Sequence, residues 1–215
     1  LDGMEKLLPQ GDVKLALLCN PHNPVARAWN REEMEAAFTL CARYGVPMIV
    51  DEIHQDFVYK PESFASAMTL TQDGDARIAV LTSAGKTFNI AGLQQGALLT
   101  RNEGMKDAIV NEMKVSGGTA GNLFALTATE AAYNHGEAWL TALLAYLNEA
   151  HVLLKRTLAE RLPKAVMTPQ EATFLAWVDV RAYGFSTAEL MLRSGGHGVA
   201  FSSGLAFDPE RGEGF

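Results

Sequence analysis

Cysteine is scarce in this chain. Only Cys19 and Cys41 occur among its 215 residues. They have neither metal-ligand nor redox spacing and both sit in apolar stretches, so they read as reduced core thiols of a cytosolic protein. Long apolar runs are lacking too, since none reaches the ~20 residues of a membrane span. Positive charge is short: 18 Lys and Arg against 25 Asp and Glu leave a net charge of −7. That balance speaks against a nucleic-acid surface and leaves small anionic ligands to local sites. Internal repeats, low-complexity segments and a signal peptide are absent, and so is an initiating methionine. Apolar residues are plentiful, at 48%. They suffice for one large core or two smaller ones.

Chemistry concentrates around Lys86. The apolar run Ile78–Leu81 reads as a buried strand, and small residues then lead to the lysine. Gly85 before it and Asn89-Ile90-Ala91-Gly92 after it predict a turn there, not a helix interior. A lysine at the end of a buried strand is expected to be poorly hydrated, with a lowered pKa, and so to serve as an amine nucleophile or base. A lone lysine of this kind would read as a solvated loop residue.

Two site chemistries compete for it. Gly85-Lys86-Thr87 is also the tail of a phosphate-binding P-loop, and Met48–Glu52 has the form of an acidic magnesium strand. The P-loop needs glycine at position 80, which is Val80, and its acidic strand should follow the lysine rather than precede it. The second chemistry is pyridoxal phosphate (PLP) held as a Schiff base on Lys86. Such a site needs a carboxylate for the pyridine nitrogen, and Asp51 fits at the end of strand Pro47–Val50. Asn23 can donate to the ring's phenolic oxygen, and Ser83 offers a hydroxyl for the phosphate.

Three stretches now carry a resemblance. Cys19-Asn-Pro-His-Asn-Pro-Val25, Val50-Asp-Glu-Ile-His-Gln-Asp-Phe57 and Thr82-Ser-Ala-Gly-Lys-Thr-Phe-Asn-Ile-Ala-Gly-Leu93 resemble, in order and spacing, the class I/II aminotransferases of PLP fold type I. Their wording is most similar to the cystathionine β-lyase (carbon–sulfur β-lyase) branch. The resemblance extends to Thr173–Asp179 and implies PLP as cofactor. It also implies a small amino-acid substrate, and a homodimer with shared active sites when full length. It places His54 where many relatives carry a tyrosine to the phenolic oxygen, a role that competes with a structural one. Gln94 stands where many aminotransferases have a phosphate-clamping arginine. Ala26 replaces a usual glycine, so it must avoid positive φ or accept strain. By the same comparison, roughly the first third and a short C-terminal piece are expected to be missing, among them the upstream phosphate loop and the α-carboxylate arginine.

The rest of the chain alternates strand and helix. Lys14–Cys19 is a strand. Asn30–Tyr44 is a helix capped by Asn30, burying Met34, Ala37, Phe38, Cys41 and Ala42. With the strand after it, this makes a βαβ unit with parallel strands. Glu52 reads as a capping or pairing group, and Asp56, Phe57 and Tyr59 as packing for the next loop. Pro61–Asp75 reads as polar surface and Gln94–Leu99 as a strand. Helices follow at Glu103–Val115 (capped by Asn102), Leu123–Asn134 and Glu137–Arg161, the last with His151 packed on its apolar side. Ala172–Val178, Thr187–Arg193 and Val199–Phe201 read as strand, helix and strand.

The expected fold is α/β: a three-layer α/β/α PLP-binding large domain over residues 1–136 with a mostly parallel sheet. Part of a small α+β domain follows over 137–215. The expected activity is β-elimination from a sulfur amino acid such as cystathionine. Transamination shares its early steps, and a non-catalytic binding module on the same fold is the more distant rival.

Overall fold

The computed structural model describes residues 1–60, 64–70, 72–74, 76–118 and 121–215. A short helix, α1 (Asp2–Leu7), leads to a four-stranded sheet. Its strands are β1 (Ala16–Cys19), β2 (Met48–Asp51), β3 (Ile78–Thr82) and β4 (Ala97–Leu99), in that spatial order. β1, β2 and β3 are parallel, with Leu18 beside Val50 and Val50 beside Val80. β4 runs antiparallel to β3, with Leu99 beside Val80. Parallel strands require crossovers and bury both faces, which is why β2 and β3 are nearly continuous apolar runs. Met48, Val50, Ile78 and Val80 form the core with Met34, Leu40 and Cys41 from the crossover helix α2 (Arg31–Arg43).

The register has a functional consequence. Cys19, Asp51 and Leu81 lie level across the three parallel strands. The loops that follow these strands therefore leave from one rim, where open α/β sheets bind ligands.

Helix α2 starts where the sequence predicts. Asn30 Oδ1 accepts the Glu33 amide at 2.9 Å, and Glu33 Oε2 accepts the Asn30 amide at 3.1 Å, a reciprocal capping box. Its buried face is turned slightly from the expected one. Leu40 is in the core, Phe38 is half-buried and Ala42 is exposed. Three later helices, α4 (Glu103–Val115), α5 (Leu123–His135) and α6 (Glu137–Arg161), match expectation within a residue.

Several expectations fail. Lys86 lies inside a one-turn helix, α3 (Ala84–Thr87), because Ser83 caps it: Ser83 Oγ accepts the Gly85 amide at 2.9 Å. The strand expected over Gln94–Leu99 shortens to β4, since Gln94 adopts φ 53 and cannot extend the ladder. In the tail, β5 (Val166–Met167) pairs with β6 (Val178–Asp179), and Thr173 at φ 63 interrupts the strand expected from Ala172. Val199–Phe201 forms no strand. α7 (Thr187–Gly196) runs longer than expected, and its closing turn takes the Val199 amide onto Ser194 O at 2.9 Å. Of the stretch expected as polar surface, Pro61–Ser63, Thr71 and Asp75 lie outside the described residues. Within the remainder, Ala65 and Ala67 are buried, and the Ala67 amide donates to Glu52 Oε1 at 2.6 Å.

Beyond α6 the chain returns to the loops that follow β1 and β2. The Glu171 and Ala172 amides both donate to Ala26 O at 3.0 Å, the Thr173 amide donates to Phe57 O, and Thr168 Oγ1 donates to Val25 O. No helix among the described residues is long and apolar enough to cross a membrane.

Candidate active site

A cavity of about 710 Å³ opens at the rim where the parallel strands end. Asp51, Thr82, Ser83, Gly85, Lys86 and Gln94 line it, with Ile109, Val110 and Met113 of α4 as an apolar wall. Its volume suits a small-molecule ligand. Four of the six residues singled out in the sequence are therefore brought together: Asp51, Ser83, Lys86 and Gln94.

Lys86 is exposed to this cavity, not desolvated as its strand-end position suggests. Strand β3 carries the chain to the rim, and α3 then lifts the lysine clear of the buried Ala84, Gly85 and Thr87. Among the described residues its Nζ makes no hydrogen bond or ion pair. Gly85 leaves little room for a side chain here. A Cβ would stand 3.0 Å from Ser83 Oγ and 3.2 Å from Ala91 Cα, tighter than the backbone of the next turn allows.

Asp51 is half-buried at the last position of β2. Its Oδ1 accepts the Ile53 amide at 3.0 Å, and Oδ2 has no hydrogen-bond partner among the described residues. On its far side a second cavity of about 280 Å³ is lined by Leu17, Leu18, Cys19, His22 and Trp29. Burial pushes the Cys19 thiol up, and it pushes the His22 imidazole down with a smaller contribution from Arg27. Ser83 is more committed than Asp51: its Oγ donates to Gln95 O at 2.5 Å while accepting the Gly85 amide. Gln94 is exposed, and its left-handed backbone closes the short 3₁₀ turn Ala91–Leu93.

Asn23 and His54 do not line the cavity. Asn23 is exposed in the loop after β1, with no side-chain hydrogen bond among the described residues. The buried member of that loop is Asn20. Its Oδ1 accepts the Trp29 amide at 2.9 Å, and its Nδ2 donates to Ala65 O at 3.3 Å. Asn20 shapes the loop, a role that no sequence periodicity announces. Ala26 takes the strained option, φ 66, with its methyl group fully buried. His54 is 1% exposed and packs against Phe57 and Phe174, with ring centroids at 6.1 and 5.3 Å. Neither ring nitrogen has a partner among the described residues. Burial holds its pKa below the ordinary histidine value, the charge of Lys86 adds to that, and Asp51 opposes it.

Glu52 is buried beside Asp51, and burial raises its pKa against the lowering effect of its bonds to Ala67 and Ser66. Its role is structural, as the sequence suggests. Three residues escaped the sequence reading as parts of the site's support: Gln55, Thr87 and Tyr133. Their hydroxyl and amide groups form a network behind α3 that joins residues far apart in sequence. Among the described residues there is no cluster of side chains able to hold a metal ion.

The family model described as "Aminotransferase class I and II" matches residues 1–208. The chain belongs to that family. Among curated relatives of this aminotransferase-family chain, cystathionine beta-lyase PatB of Bacillus subtilis is 39% identical over 222 residues, covering 100% of the chain and 55% of PatB. Protein MalY of Escherichia coli is 34% identical over 83% of the chain and 45% of MalY. Among solved structures, the PLP-bound C-S lyase of Staphylococcus hominis superposes with a TM-score of 0.80 at 32% identity, over 91% of this chain and 51% of that one. The chain thus spans about half the length of the curated relatives it matches. The aminotransferase-family fold is the expected α/β fold with a mostly parallel sheet.

Proposed function

We propose that this chain carries part of the active site of a PLP-dependent carbon–sulfur β-lyase acting on cystathionine or a related sulfur amino acid. The observation that carries the reading is geometric. Lys86, whose Nζ is unpaired among the described residues, and half-buried Asp51, whose Oδ2 accepts no hydrogen bond among them, line one cavity with an apolar wall. An identity of 39% to a cystathionine beta-lyase over the whole of this chain, and 55% of that relative, supports the choice of branch.

The residues fit PLP at two of its ends. Lys86 Nζ would hold the aldehyde carbon, and Asp51 Oδ2 would keep the proton on the ring nitrogen. When bound, PLP supplies a protonated ring that takes up the electron pair left at the substrate's Cα. The phosphate end is less well provided. Ser83 would have to turn its O–H away from Gln95 O, and Gln94 offers an amide without charge. Asn23 Nδ2 is retained as the donor to the phenolic oxygen from the loop after β1. His54, buried against Phe57 and Phe174, is read as a packing support, not as a direct ligand.

The chain's part in the reaction is proton management. Lys86 Nζ, once released by the incoming amino acid, takes the Cα proton. The Cβ–S bond then breaks, and its electron pair leaves with sulfur as the thiolate. With water consumed, the products are a thiol, pyruvate and ammonia. Residues 1–136 are proposed as the large domain and 137–215 as part of a small one. A homodimer in the cytoplasm is proposed for the complete protein, in keeping with two free cysteines.

The test uses complete protein loaded with PLP. Borohydride should trap a pyridoxyl adduct that peptide mapping places on Lys86, and Lys86→Ala should abolish it. An adduct of unchanged yield on another lysine overturns the assignment. Given cystathionine, the protein should release pyruvate faster than it transfers its amino group to a keto acid. Transfer with negligible pyruvate would move it to the aminotransferases of the same family.

A further inference from the structure

The short helix that presents Lys86 is anchored on both sides of the lysine. Upstream, Ser83 fixes the Gly85 amide. Downstream, the buried Thr87 donates its hydroxyl to Asp56 Oδ2 at 2.7 Å. Tyr133 of α5 donates to the same carboxylate oxygen at 3.3 Å. Burial raises the Tyr133 phenol's pKa and Asp56's negative charge raises it further, so this hydroxyl stays protonated and donating. Next along the chain, the Phe88 ring stands edge-on to Tyr133 at 5.3 Å and packs near Trp139 at 5.8 Å.

Asp56 is tied in turn to the other end of the site. The run from Asp51 to Phe57 is two overlapping turns: the Gln55 amide donates to Glu52 O, and the Phe57 amide to His54 O. The Ile53 amide holds Asp51 Oδ1, and Gln55 Nε2 donates to Thr82 Oγ1 at the end of β3. A short, internally bonded strut thus joins the carboxylate at one side of the cavity to the residue that follows the lysine at the other.

We infer that Asp56 is a positioning residue: by gripping Thr87 it fixes the backbone from which Lys86 reaches the cavity, in register with Asp51. This rests on the reading of Lys86 as the cofactor's amine. The physical case is one of leverage. A lysine side chain has four rotatable carbons and, unpaired, sweeps a wide arc, so its mean position depends on how firmly its backbone is held. A charge-assisted hydrogen bond one residue away is the strongest restraint available there. A role confined to stability would not require the bond to fall next to the lysine, nor the same carboxylate to collect a second donor from α5.

The experiment compares complete, PLP-loaded protein with Thr87→Val, Thr87→Ser, Asp56→Asn and Tyr133→Phe. Two readouts besides turnover are used: the rate of borohydride trapping at Lys86, and the pH at which the bound cofactor's visible absorbance titrates. Thr87→Val and Asp56→Asn should lower kcat roughly tenfold or more with KM within about twofold, as misplacement of a reacting group does. Both should also slow trapping and shift the titration. Thr87→Ser, which keeps the hydroxyl, should restore all three. Tyr133→Phe, altered at a partly exposed position and so expected to fold, should shift the same readouts to a smaller degree. If Thr87→Val and Tyr133→Phe lose thermal stability but trap and titrate like the parent, Asp56 is structural only and the inference falls. If the parent itself yields no Lys86 adduct, the functional reading falls and this inference with it.

Discussion

Asp51 shows how much one residue's setting decides. It ends β2, so its backbone is held by ladder bonds, while one carboxylate oxygen is fixed by Ile53 and the other is left for a ligand. Asp51→Asn keeps the shape and removes the charge. If Asp51 keeps a ring nitrogen protonated, losing that contact should cost about 1.5–3 kcal/mol, or roughly 10- to 150-fold in kcat. Steady-state kinetics on complete protein check this, and a wild-type kcat would remove Asp51 from the mechanism. At this scale the sequence was legible where spacing along strand ends carries the information: Asp51, Ser83 and Lys86 needed only their offsets. It was not legible for Lys86's exposure. That depends on α3, one turn long and set by Ser83's cap, and a turn so short leaves no periodic signature. The Asn20 and Thr87 bonds were hidden for a related reason, since each joins residues far apart in sequence, at least one of them in a loop.

Among elements, the joint between α5 and α6 leaves no room for a side chain. Gly136 closes α5 and opens α6 with an ordinary φ of −89, so conformational freedom is not what it provides. Space is. A Cβ there would stand 2.4 Å from Ala132 O and 2.4 Å from Phe88 Cε1. Gly136→Ala should therefore destabilise the protein by about 1–3 kcal/mol, as overpacking does. Because Phe88 lies two residues after Lys86, the same change should also disturb Lys86 trapping. Thermal melts and borohydride trapping together check this, and an unchanged melting temperature would show that the joint relaxes freely. The helices α2, α4 and α6 were the most legible elements, since caps at Asn30 and Asn102 mark two of their starts and a long apolar stripe marks the body of α6. The tail strands were the least. Ala172–Val178 is a nearly continuous apolar run like a buried strand, but Thr173's left-handed backbone and its amide's bond to Phe57 O tie it to the loop after β2 instead.

Over the whole molecule, buried histidines link stability to pH. Burial lowers the pKa of His54, His22 and His151 in the folded state. The unfolded chain therefore takes up protons near the ordinary value of about 6.5, while the folded chain resists until lower pH. Stability contributed by these neutral rings is complete above about pH 6.5 and falls as the pH drops from there toward the folded values. Glu52 works in the opposite direction: its folded pKa is raised, so acid protonates the folded form first. The separable quantity is thus a difference. Replacing His54 by Phe should remove up to about 1.4 kcal/mol per pH unit from the acid-side slope of stability below about pH 6.5. Denaturant melts between pH 7 and 5.5 check it, and identical slopes would mean that His54 takes up its proton as readily folded as unfolded.

The return of residues 168–173 to the loops after β1 and β2 also sets an order of events. Among the described residues, Ala26 O and the Ala28 amide find their partners on residues 171 and 172, the Ala28 amide on Glu171 Oε2 at 2.9 Å. During synthesis, the loop that carries Asn23 is therefore made early and finished late. The parallel strands can pair as soon as β3 emerges, but this loop waits for about 90 more residues before its last bonds close. Contacts so distant in sequence slow the final stage of folding. A nascent chain halted before Gln170 would hold a formed sheet beneath an unfinished rim.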